Sequence, residues 1–297
     1  MEGRIRLIEQ YVAAISPVFS ENIIKIMSAE KELLYQWSRN LESLYKYCPV
    51  YNFENLENEY AIQNVLNDQV TFSKRTNFND LFDSKIDFII PTKSELRAVH
   101  AQLKGAEKHE FKQLFFGEEG QRNFETFRRN VNQKFDEYLF FCLTDKPDNN
   151  LMWSHYANSH KGFCLEWNVK DINAEKVIYQ DSIARFELLD VFKMQFGLLD
   201  NEEVGRKIWE ALKIKLREWE YESEYRVQFG SGMKHLINKQ EPNYTLVSYK
   251  PEWITAIIFG CRMDKSAIAY LDEKLPAFIE RRYAVERKSS IEIVVKN

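Results

Sequence analysis

A chain of 297 residues with 44% apolar and 29% charged residues has the make-up of a packed globule, and its ten glycines and seven prolines exclude long flexible linkers. With 21 phenylalanines, 15 tyrosines and six tryptophans, the core is expected to be aromatic. A net charge of about −4 lacks the basic excess of a non-specific nucleic-acid binder, so a small-molecule or protein partner fits better.

Along the chain, the opening MEGRIRLIEQYVAAI has no signal-peptide pattern, and no apolar run approaches the ~20 residues needed to cross a bilayer. The chain is therefore expected in the cytoplasm, with no membrane partner. Apolar residues recur at helical spacing through Leu33, Leu34, Trp37, Leu41 and Leu44, after a break at Ser16-Pro17. Residues 1–43 read as an N-terminal helical extension, and residues 44–297 as an α+β main domain.

A tyrosine-rich segment, LYKYCPVYNF, opens that domain. It is followed by a helix near Tyr60–Leu66 and a short strand over 70–73. Residues 94–135 are charged and helical in character, which suggests a helical insertion. Strand-like runs then fall at 138–143, 162–167, 177–179, 225–229, 244–248 and 254–259, with a last one at 291–295. Helices are expected over about 201–219 and 266–280. Because regular helices do not separate the strands, a doubly wound parallel sheet is excluded and a mixed or antiparallel sheet core with helices on its faces is expected. Cys48, Cys142, Cys164 and Cys261 form no C-x-x-C pair and no cysteine–histidine cluster at zinc spacing, and His155 and His160 are too far apart to share a metal on one helix face, so no metal site is expected.

Four segments carry polar and aromatic residues that can do chemistry. They are Leu44-Tyr45-Lys46-Tyr47, Phe78-Asn79-Asp80-Leu81-Phe82-Asp83, the run Leu151-Met152-Trp153-Ser154-His155-Tyr156-Ala157 continuing into His160-Lys161-Gly162-Phe163-Cys164, and Trp219-Glu220-Tyr221-Glu222-Ser223-Glu224-Tyr225-Arg226. In the third, a short helix is expected to run into a strand, with Leu151, Met152 and Tyr156 inward and Gly162 at a turn or close backbone approach. Trp153 and Tyr156 can wall a flat pocket, and His155 is the best general-base candidate in the chain. In the fourth, a strand over 220–229 sets Glu222, Glu224 and Arg226 on one face. Plainer roles stand beside these. Glu222 and Arg226 can pair on a helix surface, His155 can satisfy buried backbone groups, Asn79-Asp80 can make a turn or cap, and Tyr45 and Tyr47 can be core with Lys46 solvated.

These segments, in this order, resemble a widespread bacterial family catalogued only as a domain of unknown function, whose hallmark is W-S-H-Y-A running into H-K-G-F-C. The resemblance spans about residues 44–265. Two positions depart from the family pattern. Cys48 stands where an arginine usually follows K-Y, which removes an anion contact there. Leu81 stands where F-N-D-P-F has proline, which alters a turn.

The order of the segments is also similar to that of ADP-ribosyltransferases, possessing a split sheet and an E-x-E pair at the end of the catalytic strand. That resemblance implies NAD as substrate, Glu224 as the catalytic glutamate stabilising an oxocarbenium-like ribose, and Glu222 as its acceptor-side partner. It implies that Lys46, Tyr47, Trp153 and Tyr156 line the NAD pocket, with Asn79 and Arg226 as further ligand contacts and His155 ordering the site or moving a proton. The acceptor molecule is left open, and a role in phage defence or as a toxin-like effector is implied only by the kind of family. Two rival readings are a non-catalytic sensor binding a nucleotide or peptide, and a defence nuclease. The nuclease lacks the clustered carboxylates or paired histidines such enzymes use.

Overall fold

A computed structural model describes residues 41–117 and 120–295. Apart from its last three residues, the expected N-terminal extension lies outside them. The described residues divide into two compact units: a sheet unit formed by 41–77, 139–179 and 217–295, and a helical unit formed by 78–117, 120–138 and 180–216.

The helical unit contains the helices Lys93–Gln102, Gly105–Phe115 and Gly120–Phe135 inside the stretch read as an insertion, joined by Leu188–Gln195 and Asn201–Leu212. Its core is built largely from phenylalanine. Phe192 sits 4.5 Å from Phe115 and 4.6 Å from Phe127, ring centre to ring centre. Two short parallel strands, Ile86–Ile89 and Ala184–Glu187, bring its two chain segments together. Nearby, the buried Lys215 ammonium lies 3.2 Å from Asp83.

The sheet unit carries eleven strands, numbered here within that sheet. They are β1 (Ser43–Cys48), β2 (Gln69–Lys74), β3 (Leu139–Thr144), β4 (Phe163–Asn168), β5 (Glu175–Lys176), β6 (Glu224–Gln228), β7 (Ile237–Gln240), β8 (Tyr244–Ser248), β9 (Ile254–Phe259), β10 (Glu280–Glu286) and β11 (Ile291–Val295). The order is β7-β8-β2-β3-β1-β4-β9-β10-β11, with β6 pairing β3 and β5. Every pair is antiparallel except β9 with β10. The α+β class expected from the sequence is what the structure has.

One edge of β3 serves two strands. Phe140 pairs with Ser73 of β2, whereas Thr144 pairs with Tyr45 of β1. Between them the carbonyl of Cys142 points to the same edge, because alternate residues of a strand bond to the same side. Lys46 Nζ donates to it at 3.0 Å, filling the gap where the sheet divides.

The larger core lies on the face carrying Leu44, Phe141, Leu165 and Ile257, covered by the helices Tyr60–Leu66 and Lys265–Lys274. On the opposite face a smaller core forms where the helix Asn150–Tyr156 packs Met152 and Trp153 on Tyr47, Cys164 and Ile258.

Candidate functional site

Strand alternation puts Ser43, Tyr45 and Tyr47 on the face of the smaller core and Lys46 on the other. Register then aligns one row across the sheet on that face: Glu280, Ala256, Glu166, Tyr45, Thr144 and Glu224. Glu166 accepts from Ser43 Oγ at 2.5 Å, from Tyr45 Oη at 3.3 Å and from Arg282 Nη1 at 2.7 Å. Burial, reinforced by the Glu166 charge, pushes the Tyr45 phenol up to about 12, so it stays a donor.

The signature helix is tied at both ends. Asn149 caps it, accepting from the Leu151 and Met152 amides at 2.9 and 3.2 Å, and its own Nδ2 donates to the Tyr221 carbonyl at 2.9 Å. Trp153 is fully buried. Its Nε1 donates to the Pro147 carbonyl at 2.9 Å and its ring meets Tyr47 edge-on at 5.0 Å. It therefore anchors the helix and does not wall a pocket. Tyr47 is likewise core, donating to the Lys146 carbonyl at 2.6 Å. Leu151, expected inward, is exposed. Tyr156 is half-buried and its hydroxyl donates to Glu222 Oε1. His155 is exposed, its Nδ1 2.9 Å from the Tyr221 hydroxyl, and the Tyr221 ring stands 6.0 Å from Trp219.

The helix ends in a tight turn. Asn158, Ser159 and His160 all adopt left-handed backbone, with φ of 46°, 54° and 70°. This is costly for residues with side chains and is held by amide bonds back to Ser154, Trp153 and Ala157. His160 is the buried histidine of the segment, a role the sequence had left open for His155. Its ring lies parallel to Trp153, Nε2 is 3.2 Å from Ser154 Oγ, and Nδ1 is buried with no partner among the described residues. Burial, then the Arg262 charge, holds His160 below the usual histidine range against the pull of Glu286. The unfolded chain therefore takes up this proton more readily, and stability rises with pH through the window. The neutral imidazole's contribution is complete above about 6.5 and is lost as pH falls below it. Urea denaturation from about pH 5 to 8 checks this: His160→Gln should flatten the acid-side loss, and an equal slope in both proteins would reject it.

The acidic segment departs from the expected strand. Arg217–Glu222 is a 3-10 turn, Ser223 has a left-handed φ of 44°, and the ladder starts only at Glu224. The turn breaks the alternation, so Glu222 is not on a common strand face with Glu224 and Arg226. Nor do Glu222 and Arg226 share a helix surface, since both are buried. Glu222 is 3% exposed, with its carbonyl accepting from Thr144 Oγ1 and its carboxylate from Tyr156. Glu224 is gripped by Arg226 through both oxygens, at 2.7 Å from Nε and 3.1 Å from Nη2. Its amide donates to Tyr179 Oη at 2.8 Å. Across the strand pair, burial and the Glu224 charge push the Cys142 thiol far up.

Residues 152–227 match the model of a family described as a protein of unknown function, DUF2971. No curated protein and no solved structure matches the chain. The DUF2971 match begins inside the signature helix and ends within β6, so it contains both partners of the Tyr156–Glu222 contact.

Of the residues singled out in the sequence, Tyr156, Glu222, His155, Glu224 and Arg226 all belong to the sheet unit, on or beside the β3–β6 strand pair and the signature helix. Lys46 is turned to the opposite face, over the Phe141 ring at 5.3 Å. Asn79 is an exposed residue of the helical unit, in the turn where Asp80 accepts from the Phe82 amide at 2.9 Å. The residues missed are Glu166, Ser43, Thr144 and Arg282. Glu166 left a signal: a lone carboxylate inside the apolar run Phe163-Cys164-Leu165-Glu166-Trp167 has to find donors. Among the described residues no group of three or more His, Cys, Asp or Glu side chains could hold a metal ion, and no helix is long and apolar enough to cross a membrane.

Proposed function

We propose that this protein binds an NAD-type dinucleotide on the polar face of its sheet and transfers ADP-ribose from it. The observation that carries the reading is Glu222: a carboxylate almost wholly buried, hydrogen-bonded to Tyr156 and next in the chain to Tyr221, whose ring contacts those of Trp219 and His155. In such a transfer the bond from ribose C1′ to the nicotinamide nitrogen breaks, and the electron pair leaves with neutral nicotinamide. The acceptor's lone pair then forms the new bond to C1′ and its proton departs. A fixed carboxylate stabilises the positive charge that develops on the ribose, and a preorganised one costs no rearrangement as it does so. The ring cluster of Trp219, Tyr221 and His155 suits a nicotinamide ring. His155, exposed and oriented by Tyr221, is the group that can take the acceptor proton.

The geometry favours exchanging the roles expected of the two acids. Both oxygens of Glu224 are held by Arg226, so Glu224 positions the turn while Glu222 meets the substrate. Nicotinamide release from NAD tests this. The Glu222→Gln variant should lose about a hundredfold in rate with its unfolding midpoint little changed. Wild-type turnover in that variant would reject the assignment.

A second reading, a nucleotide-binding sensor without turnover, is favoured by one observation: each acid already has a partner inside the protein, Tyr156 for Glu222 and Arg226 for Glu224. NAD that raises the melting temperature yet is recovered intact would select it.

A further inference from the structure

The polar row on the sheet ends in two carboxylate–guanidinium pairs, and the mechanism above uses only one. The other is Glu166 with Arg282. From Glu166 on β4 to Glu224 on β6 the row crosses β1 and β3, three strand spacings or roughly 14 Å. Tyr45 and Thr144 fill the interval. The signature helix covers the neighbouring row, Tyr47, Cys164 and Ile258, and leaves Ser43, Tyr45 and Arg282 half-buried. Arg282 of β10 pairs with Ile258 of β9, and its side chain reaches diagonally across β9 to Glu166, whose own β9 partner is the small Ala256. Its Nε and Nη2 hold Glu280 at 2.7 and 2.5 Å and Nη1 holds Glu166. Further N–H groups of the fork have no partner among the described residues.

We infer that Ser43, Tyr45, Glu166 and Arg282 form a subsite for the ribonucleoside phosphate half of the ligand, the half remote from the bond that breaks. The carboxylate of Glu166 takes a ribose hydroxyl, as acidic residues do in dinucleotide sites, and the spare N–H groups of Arg282 take a phosphate oxygen. The Tyr45 hydroxyl completes the ring of donors. This subsite rests on the proposed nucleotide reading and names the part of the nucleotide held there.

Calorimetric titration of the full chain with ADP, which contains no nicotinamide, isolates it. ADP should bind wild type, with 2′-deoxy-ADP about tenfold weaker and Arg282→Lys and Tyr45→Phe each weakening ADP by about three- to tenfold. The deoxy ligand leaves the protein untouched, so the test holds even where a variant folds poorly. Absent ADP binding, or binding indifferent to the 2′-hydroxyl and to both substitutions, overturns the subsite. If wild type nevertheless releases nicotinamide, the transfer reading survives that loss. ADP binding that responds as expected in a protein releasing no nicotinamide keeps the subsite and discards the transfer.

Discussion

Replacing Arg226 by methionine is expected to destabilise the protein by about 3–5 kcal/mol. The guanidinium is completely buried, lies over the Phe140 ring at 5.9 Å, and holds both oxygens of a carboxylate that is itself buried. Methionine fills much of the volume but offers Glu224 no positive charge, and a carboxylate stripped of its partner inside a protein is far more costly than the pair was favourable. Removing both charges should therefore restore much of the loss, so Glu224→Leu/Arg226→Met should be more stable than Arg226→Met alone. Urea denaturation of the two variants and wild type reads both statements. A single variant within about 1 kcal/mol of wild type would show that the pair does not govern this part of the sheet.

The second large effect is expected at Gly162. A methyl group there would stand 2.1 Å from the Cys48 carbonyl oxygen and 3.0 Å from Pro49 Cα, both backbone atoms. Neither can move freely, because Cys48 is paired with Phe163 in the β1–β4 ladder and the Gly162 carbonyl accepts from the Gly260 amide at 2.9 Å. Gly162→Ala should cost about 3 kcal/mol or more through forced separation of β1 from β4. Gly230 is the control: a methyl there meets nothing within 4 Å, and Gly230→Ala should shift stability by less than about 1 kcal/mol. Thermal unfolding of the two variants side by side distinguishes close approach from a general intolerance of side chains. Equal, small shifts would refute the crowding.

Much of this architecture was readable in the chain. The strands at Leu139–Thr144, Phe163–Asn168, Tyr244–Ser248, Ile254–Phe259 and Ile291–Val295 are aromatic and β-branched runs close to where composition put them. The helix leading into β4, and the close approach at Gly162, followed from the W-S-H-Y-A…H-K-G-F-C run. Other elements gave weaker signals. β10 reads Glu280-Arg281-Arg282-Tyr283-Ala284-Val285-Glu286, too charged to look like a strand, because one of its arginines spends its charge on Glu166 across β9. The pairing of Ile86–Ile89 with Ala184–Glu187 joins segments nearly a hundred residues apart, which no local pattern announces. The acidic strand was drawn too long, since the left-handed turn at Ser223 is not encoded by a glycine or asparagine.

What the amino-acid order determined by itself is short-range: which runs extend or coil, where Asn149 caps a helix, and which residues bear charge or rings. Those properties depend on neighbours within a turn or two. Tertiary structure alone decided which polar groups meet. Tyr156 finds Glu222 sixty-six positions away, and Glu166 gathers Ser43, Tyr45 and Arg282 from two other strands. The second outcome hangs on register between strands remote in the chain, and a slip of one residue in a strand would send its side chains to the other face of the sheet.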